Sequence, residues 1–347
     1  MIDFVYATHS GLYYARVDLD RKKLVNSFLI EDGYHYGISV NFDKAKNETL
    51  VRSYRGGKDV HHQDEMEIRS YVLSDCNVEI LDKRNLDNST GHVHQLANSA
   101  TEGELYLANT KYNSIDIWAP SRGIVGRFCF DGHNSDVNHV NSVFVGGDHL
   151  AVMLHNLRSQ ESQISVCRNV NSKIVEISRK SIPDLQCHNI GILGDRLFYN
   201  ASGACSVVCL DVKTLQVRAR LKMNEHTKGL CSDGTSLFAG MSNYATRSAR
   251  ATSSAWLLQL DPASMTVSSV IPLTDPARHV NVGNINEIRI VNAEDVFDAG
   301  SQGNPETLSK LANVRQNYSQ ILFRRCWFRT TTSLRKTYKH LVGRGLS

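Results

Sequence analysis

A pentapeptide frame recurs along the chain, and histidine opens it five times: His35-Tyr-Gly-Ile-Ser, His92-Val-His94-Gln-Leu, His139-Val-Asn141-Ser-Val, His188-Asn-Ile190-Gly-Ile and His226-Thr-Lys228-Gly-Leu. A sixth copy, Asn284-Ile-Asn286-Glu-Ile, begins with asparagine. Five of the 14 histidines therefore share one repeat position. Neutral imidazole ligates Zn, Cu, Fe and Ni, and Mn when oxygen ligands join it. It also donates and accepts protons near neutral pH. The third place of the frame adds His94, Asn141, Lys228 and Asn286. On a strand, alternate residues face the same way, so first and third places form two tiers on one side.

Two chemistries suit such a ring of groups. In the first, three or four imidazoles hold a divalent ion (Mn, Zn or Fe) and leave one position open. The consecutive trio His92, His139 and His188 leads this choice, with His226 and His35 next. Such an ion polarises a carbonyl or carboxylate. Lys228 then serves as proton acceptor once desolvation lowers its pKa, and His94 serves as acid. In the second, no metal is needed, and protonated His, Lys228, Arg55 and a set of amides hold an anionic or sugar ligand by charge-assisted hydrogen bonds. The bland reading is that each imidazole bonds the backbone of its neighbour and staples a scaffold.

Elements of one kind must position these groups. The first residues of the frames lie 57, 47, 49, 38 and 58 positions apart, a repeat on the scale of propeller blades. After each frame, apolar runs of 5–8 residues alternate and are broken by Gly, Asp, Asn or Ser, as in short antiparallel strands. The second unit, for example, reads His94–Asn98, Glu104–Asn109, Ser114–Trp118 and Gly126–Phe130. The sixth unit stops after Asn286–Val291. Its missing strands stand at the start of the chain, in Phe4–Thr8, Leu12–Asp18 and Leu24–Ile30. Joining the two ends in one blade closes the ring and removes exposed sheet edges.

This layout, over residues 1–291, resembles the six-bladed β-propeller superfamily that includes lactonases and lyases. The resemblance rests on architecture; no WD dipeptide, Kelch diglycine or Asp-box recurs. It implies that the first strand of each blade lines a central channel and that ligands bind at the channel mouth. It implies further that three axial histidines can hold a divalent ion, as in some propeller lyases. The loops after the second strands open on the same face and carry His9, Arg55, Asn109, Thr110, His155, Asn156, Asn200 and Asn243. The expected ligand-binding set is Arg55, Asn109, Asn141, His155, Asn200, Asn284 and Asn286.

The net charge of +4 hides an asymmetry. From Gly303 to Ser347 there are nine Lys or Arg and one acid, Glu306. Residues 292–347 are read as a basic, mostly helical extension, with Leu308, Leu311, Tyr318, Leu322, Trp327 and Leu334 at helical intervals. It is expected to pack on the body or to meet an anionic membrane surface or a protein partner. No recognition fold accompanies it, so no specific nucleic acid is expected. The eight cysteines form no CxxC pair, and no apolar run approaches the length of a membrane span. The start of the chain lacks the pattern of a signal peptide. A cytoplasmic protein is the expectation, with attachment to a membrane through the tail as an alternative to its packing on the body. No GxSxG, P-loop or GxGxxG occurs. Asp131-Gly-His133-Asn-Ser-Asp136 lacks the spacing of a calcium loop and reads as a polar turn. His61, His62, Asp64 and Glu65 read as a solvated loop, and Arg247–Arg250 as a lid or a surface loop. The sequence reading is thus a divalent-metal-dependent lyase or hydrolase acting on an anionic or carbohydrate-like substrate. The alternative is a non-catalytic ligand-binding or protein-interaction propeller.

Overall fold

The computed structural model describes residues 1–56, 66–74, 77–86, 90–298 and 305–314 of the chain. The loop with His61, His62, Asp64 and Glu65, and the tail from Arg315 onward, lie outside the described residues. The strands form six sheets. The sheet that closes the ring takes β1 (Ile2–Thr8), β2 (Gly11–Asp18) and β3 (Lys23–Asp32) from the start of the chain. Blade 1 holds β4 (Tyr34–Asp43), β5 (Glu48–Gly56), β6 (Glu67–Ser74) and β7 (Asn77–Asn85). Blade 2 holds β8 (Val93–Asn98), β9 (Leu105–Asn109), β10 (Ser114–Ala119) and β11 (Gly123–Cys129). Blade 3 holds β12 (Val140–Gly146), β13 (His149–Leu154), β14 (Gln163–Val170) and β15 (Lys173–Ser181). Blade 4 holds β16 (Cys187–Leu193), β17 (Arg196–Ala201), β18 (Ser206–Asp211) and β19 (Val217–Lys222). Blade 5 holds β20 (His226–Ser232), β21 (Leu237–Ser242), β22 (Ala255–Leu260) and β23 (Val267–Asp275), with a two-residue fifth strand, β24 (Val280–Asn281). Blade 6 is β25 (Ile285–Ile290) paired to β1, so the sheet order is β25-β1-β2-β3. The expected six-bladed propeller, closed by N-terminal strands, is the fold.

Burial falls from the axis outward. Every residue of β12 is buried, as is all but the last of β16. These inner strands pack between neighbouring blades on both faces, so their sequences run apolar without clean alternation. The outer strand β23 alternates buried and exposed residues, because only one of its faces meets another blade. Between blades the core is aliphatic and aromatic; Phe4, Tyr6, Tyr13 and Phe238 meet where blade 5 packs on the closing blade. Each inner strand carries a register shift near its mouth end, at Tyr36–Gly37, His94–Gln95, Asn141, Asn189, Gly229 and Asn286. Such bulges bend a strand and re-aim its side chains.

The chain after β25 does not leave the body. Residues 292–298 cross the far end of the channel. Asp298 accepts hydrogen bonds from the backbone of Val40 in blade 1 and Asn98 in blade 2. Phe297 meets Phe144 of blade 3 edge to face and stacks on Phe198 of blade 4, and Asp295 accepts from the Ser232 amide of blade 5. Above them Arg289, fully buried, donates to Glu287 and to the Leu230 carbonyl. The helix α1 (Pro305–Ala312) then docks Leu308 and Leu311 against β13, β14 and β15. This is the described part of the extension that the sequence reading placed at 292–347. No helix among the described residues is long and apolar enough to cross a membrane.

Candidate functional site

Five imidazoles from four blades stand in succession at the channel mouth. His94 and His139 have ring centroids 5.0 Å apart, His139 and His155 4.8 Å, His155 and His188 4.8 Å, and His188 and His226 6.3 Å. Tyr36 stacks on His94 at 4.8 Å, and Tyr34 and His9 continue the series through blade 1 to the closing blade. The Lys228 ammonium lies 5.3 Å from the centre of the Tyr36 ring, bridging the two ends of the arc. The bulges make this convergence possible, since each turns a frame residue toward the axis.

The frame holds in blades 2, 3, 5 and 6, but the first and fourth copies depart from the expected register. In blade 1, His35 opposite Arg55 corresponds to Val93 opposite Asn109, so Tyr34 and Tyr36, not His35 and Gly37, hold the first and third places. Counted from their hairpins, Cys187 opposite Ala201 corresponds to Val140 opposite Leu154. Gln186, not His188, therefore holds the first place. It shares a left-handed backbone with His92 and His139, their φ values being +56°, +50° and +53°. Non-glycine residues rarely adopt that region, so its recurrence at one blade position marks true equivalence. His188 belongs to the deeper tier with Tyr36, His94, Asn141, Lys228 and Asn286. The physical reason is Asn189. Its carboxamide accepts from the Gly229 amide at 2.8 Å and from Asn200, and donates to Glu287, which fixes the bulge at that residue.

Of the five expected metal ligands, His139, His188 and His226 join the run. His35 does not. It is fully buried, its Nδ1 meets Ser53 Oγ at 3.0 Å, and burial with the Arg55 guanidinium pushes its pKa down to about 3. His92 stands close enough to His94 for its charge to act on that ring. His94 and His155, expected respectively as acid and ligand binder, fill the gaps. Among the described residues, no three His, Cys, Asp or Glu side chains are grouped to hold one ion.

Hydrogen bonds at Nδ1 fix the tautomers, and these alternate. His94 Nδ1 accepts from the Asn141 amide at 3.0 Å, so Nε2 carries its proton. His139 Nδ1 donates to Asp136 at 2.9 Å, which leaves a lone pair at Nε2. His155 Nδ1 accepts from the Leu157 amide at 3.2 Å, and its Nε2 is a donor. His188 Nδ1 donates to the Gln186 carbonyl at 3.0 Å, leaving Nε2 an acceptor. The series reads donor, acceptor, donor, acceptor. Burial, followed by neighbouring cationic groups, holds His94 and His188 well below the usual histidine range, and His226 at about 4. These three are neutral at pH 7. Lys228 lies at the base of the mouth, ringed by protein yet partly open to the channel. Burial and then Arg250 lower its pKa to about 7, while Glu287 below opposes them.

The other expected ligand binders divide. Asn141 supports His94. Asn286 donates to the His35 carbonyl at 2.7 Å, and Asn284 bonds Ser253 and the Asn243 carbonyl. Asn109 is committed to Asp116 and the Gly91 amide, and Asn200 to Asn189 and the Gly229 carbonyl, both as braces of the fold. Arg55 lies over Gly33 in blade 1, acting on His35 rather than on the run. Sequence reasoning passed over Tyr34, Tyr36, Asp136 and Gln186. Tyr36 could have been found, since it directly follows a frame histidine in a strand with a bulge.

No protein-family model matches the chain, and no curated protein is similar to it in sequence. Solved structures are similar in fold. A chain of a nidogen–laminin complex shares 10% identity at a TM-score of 0.58, covering 87% of this chain and 100% of that one. A protein from Lactobacillus plantarum shares 14% at 0.55, covering 83% and 99%. A candidate 6-phosphogluconolactonase from Bacteroides fragilis shares 10% at 0.50, covering 83% and 97%. Identities this low carry the propeller and nothing of its chemistry.

Proposed function

We propose that the histidine-lined mouth is the active site of a hydrolase or lyase acting on an anionic, carbohydrate-like substrate. The observation that carries this is the alternation of imidazole donors and acceptors at Nε2 along the arc. Each hydroxyl of a sugar both donates and accepts, so successive hydroxyls find complementary partners at His94, His139, His155 and His188. The half-buried aromatic wall at Tyr34 and Tyr36 suits the apolar side of a sugar ring.

The acid–base parts are also present. His188 offers a lone pair at Nε2 to a water or a substrate hydroxyl, and His94 offers a proton from Nε2. Lys228, near half-protonated at neutral pH, takes a proton from an acidic carbon in an elimination, or steadies an oxyanion in a hydrolysis. A second reading keeps a divalent ion, and the 4.8 Å spacing of His139, His155 and His188 favours it. With the tautomers described, only His139 and His188 present a lone pair at Nε2, so His155 would have to release its bond to the Leu157 amide and turn Nδ1 inward. Elemental analysis of the purified protein separates the two readings.

The test of the proposal is turnover of a panel of sugar lactones, sugar esters and uronate-containing oligosaccharides by the full chain. Lys228→Arg keeps the charge but cannot titrate near 7. It is expected to lower kcat by about 10²–10⁴-fold with the fold intact. Equal rates for wild type and Lys228→Arg, or turnover untouched by His188→Ala, would sink the assignment of the mouth as the catalytic centre.

A further inference from the structure

Beside Lys228, between blades 5 and 6, a recess of about 30 Å³ opens off the mouth. It is lined by His226, Lys228, Tyr244, Arg250, Asn284 and Asn286. No carboxylate lines it. Lys228 and Arg250 make no ion pair among the described residues, whereas the buried Arg69 and Arg289 each have one. Glu225, the nearest acid on the rim, is engaged by the Tyr244 amide at 3.0 Å. Glu287 lies below, committed to Arg289 and Asn189. Two cations facing a small cavity without a counter-ion make a seat for an anionic group.

A second feature is independent of charge. Asn286 is 2% exposed, and its Oδ1 has no hydrogen-bond partner. Its Nδ2 donates to the His35 carbonyl, which fixes the orientation of the amide and leaves the oxygen as an acceptor. A buried acceptor left bare loses its hydration with nothing in return, so such an atom calls for a donor from outside the chain. An anion cannot supply that donor by itself; a hydroxyl next to it can.

We infer that this recess binds the α-hydroxy-carboxylate end of a sugar acid, with Lys228 and Arg250 on the carboxylate and Asn286 Oδ1 on the neighbouring hydroxyl. The rest of the carbon chain then lies along the imidazole arc, where its remaining hydroxyls meet the alternating donors and acceptors. This rests on the mouth being the ligand site and adds the direction in which the ligand lies.

Calorimetric titration of the full chain with D-gluconate, 2-deoxy-D-gluconate and D-glucose tests it. Gluconate is expected to bind at least tenfold tighter than either comparison ligand. Arg250→Met, a change in a surface turn, is expected to remove the advantage over glucose while leaving glucose binding unaltered. Asn286→Leu, checked for an unchanged melting temperature, is expected to remove the advantage over the 2-deoxy acid alone; Asn286→Ser serves if the leucine variant does not fold. Glucose or the 2-deoxy acid binding as tightly as gluconate would overturn the recess while the mouth stands, provided His188→Ala weakens all three. Binding of none of them would overturn both.

Discussion

At the scale of single residues, what decides the chemistry is which nitrogen of each ring holds a proton. Four backbone or side-chain partners at Nδ1 set that choice, and none of them sits at a fixed sequence offset. Asp136 lies three places before His139, Gln186 two before His188, Leu157 two after His155, and Asn141 comes from the next blade to His94. Nitrogen-15 NMR at pH 7 is expected to find the Nε2–H tautomer at His94 and His155 and the Nδ1–H tautomer at His139 and His188; a uniform pattern would remove the basis for recognition of hydroxyls. Lys228 gives the second prediction. Since its amine is freed as pH rises through about 7, a reaction that uses it as base should show kcat climbing through that pH, and Lys228→Arg should flatten the profile. The sequence reading found His94, His139, His188, His226 and Lys228 by their spacing. It could not find the tautomers, because these depend on partners brought in by bulges and by neighbouring blades.

At the scale of elements, the strands were legible and the register was only partly so. Alternating apolar runs between Gly, Asp and Asn marked the blades, and the unpaired sixth unit pointed to the N-terminal strands. The slips in blades 1 and 4 were hidden because histidine itself was used to align them. Equal spacing would have done better in blade 4: His92, His139 and Gln186 are each 47 residues apart. The segment after β25 was read as the start of a tail, since its polar residues Asn292, Glu294, Asp295 and Asp298 carry no strand pattern. Asn292, Asp295 and Asp298 accept from backbone amides of blades 1, 2, 5 and 6 instead, which no local pattern announces. Gly191 tests how tightly this segment is seated. A Cβ there would come within 2.2–2.6 Å of three carbons of the Phe297 ring, a rigid group flanked by Phe144 and Phe198. Gly191→Ala is expected to cost about 1–3 kcal/mol in denaturant unfolding, and Phe297→Leu in the same chain should return part of it.

At the scale of the whole molecule, the channel is sealed by charge. Burial raises Glu287 to about 7, Asp295 to about 6 and Asp298 to about 7, and Arg289 opposes each shift. A carboxyl whose pKa is higher in the fold than in the unfolded chain keeps a proton that the unfolded chain has released, so its contribution declines as pH rises from about 4 to about 7. The neutral imidazoles of the mouth act in the opposite sense. Their pKa values fall on folding, so acid below about 6 works against the fold. The two sets offset one another in the intact chain, and a single replacement uncovers them. Glu287→Gln, compared with wild type by denaturant unfolding, should be relatively more stable at pH 8 than at pH 5, by on the order of 3 kcal/mol; an equal difference at both would mean that Glu287 ionises normally. Finally, β1 pairs with β25 from Val5↔Arg289 to Thr8↔Ile285. During synthesis at about 5–20 residues per second, the first strand therefore waits some tens of seconds for its neighbour to leave the ribosome. A rearranged gene that starts at Tyr34, keeps every residue and joins the last one to Met1 through a long flexible linker would deliver both partners within seconds of each other, and its refolding, with a shorter loop to close between β25 and β1, should be faster than that of the given order.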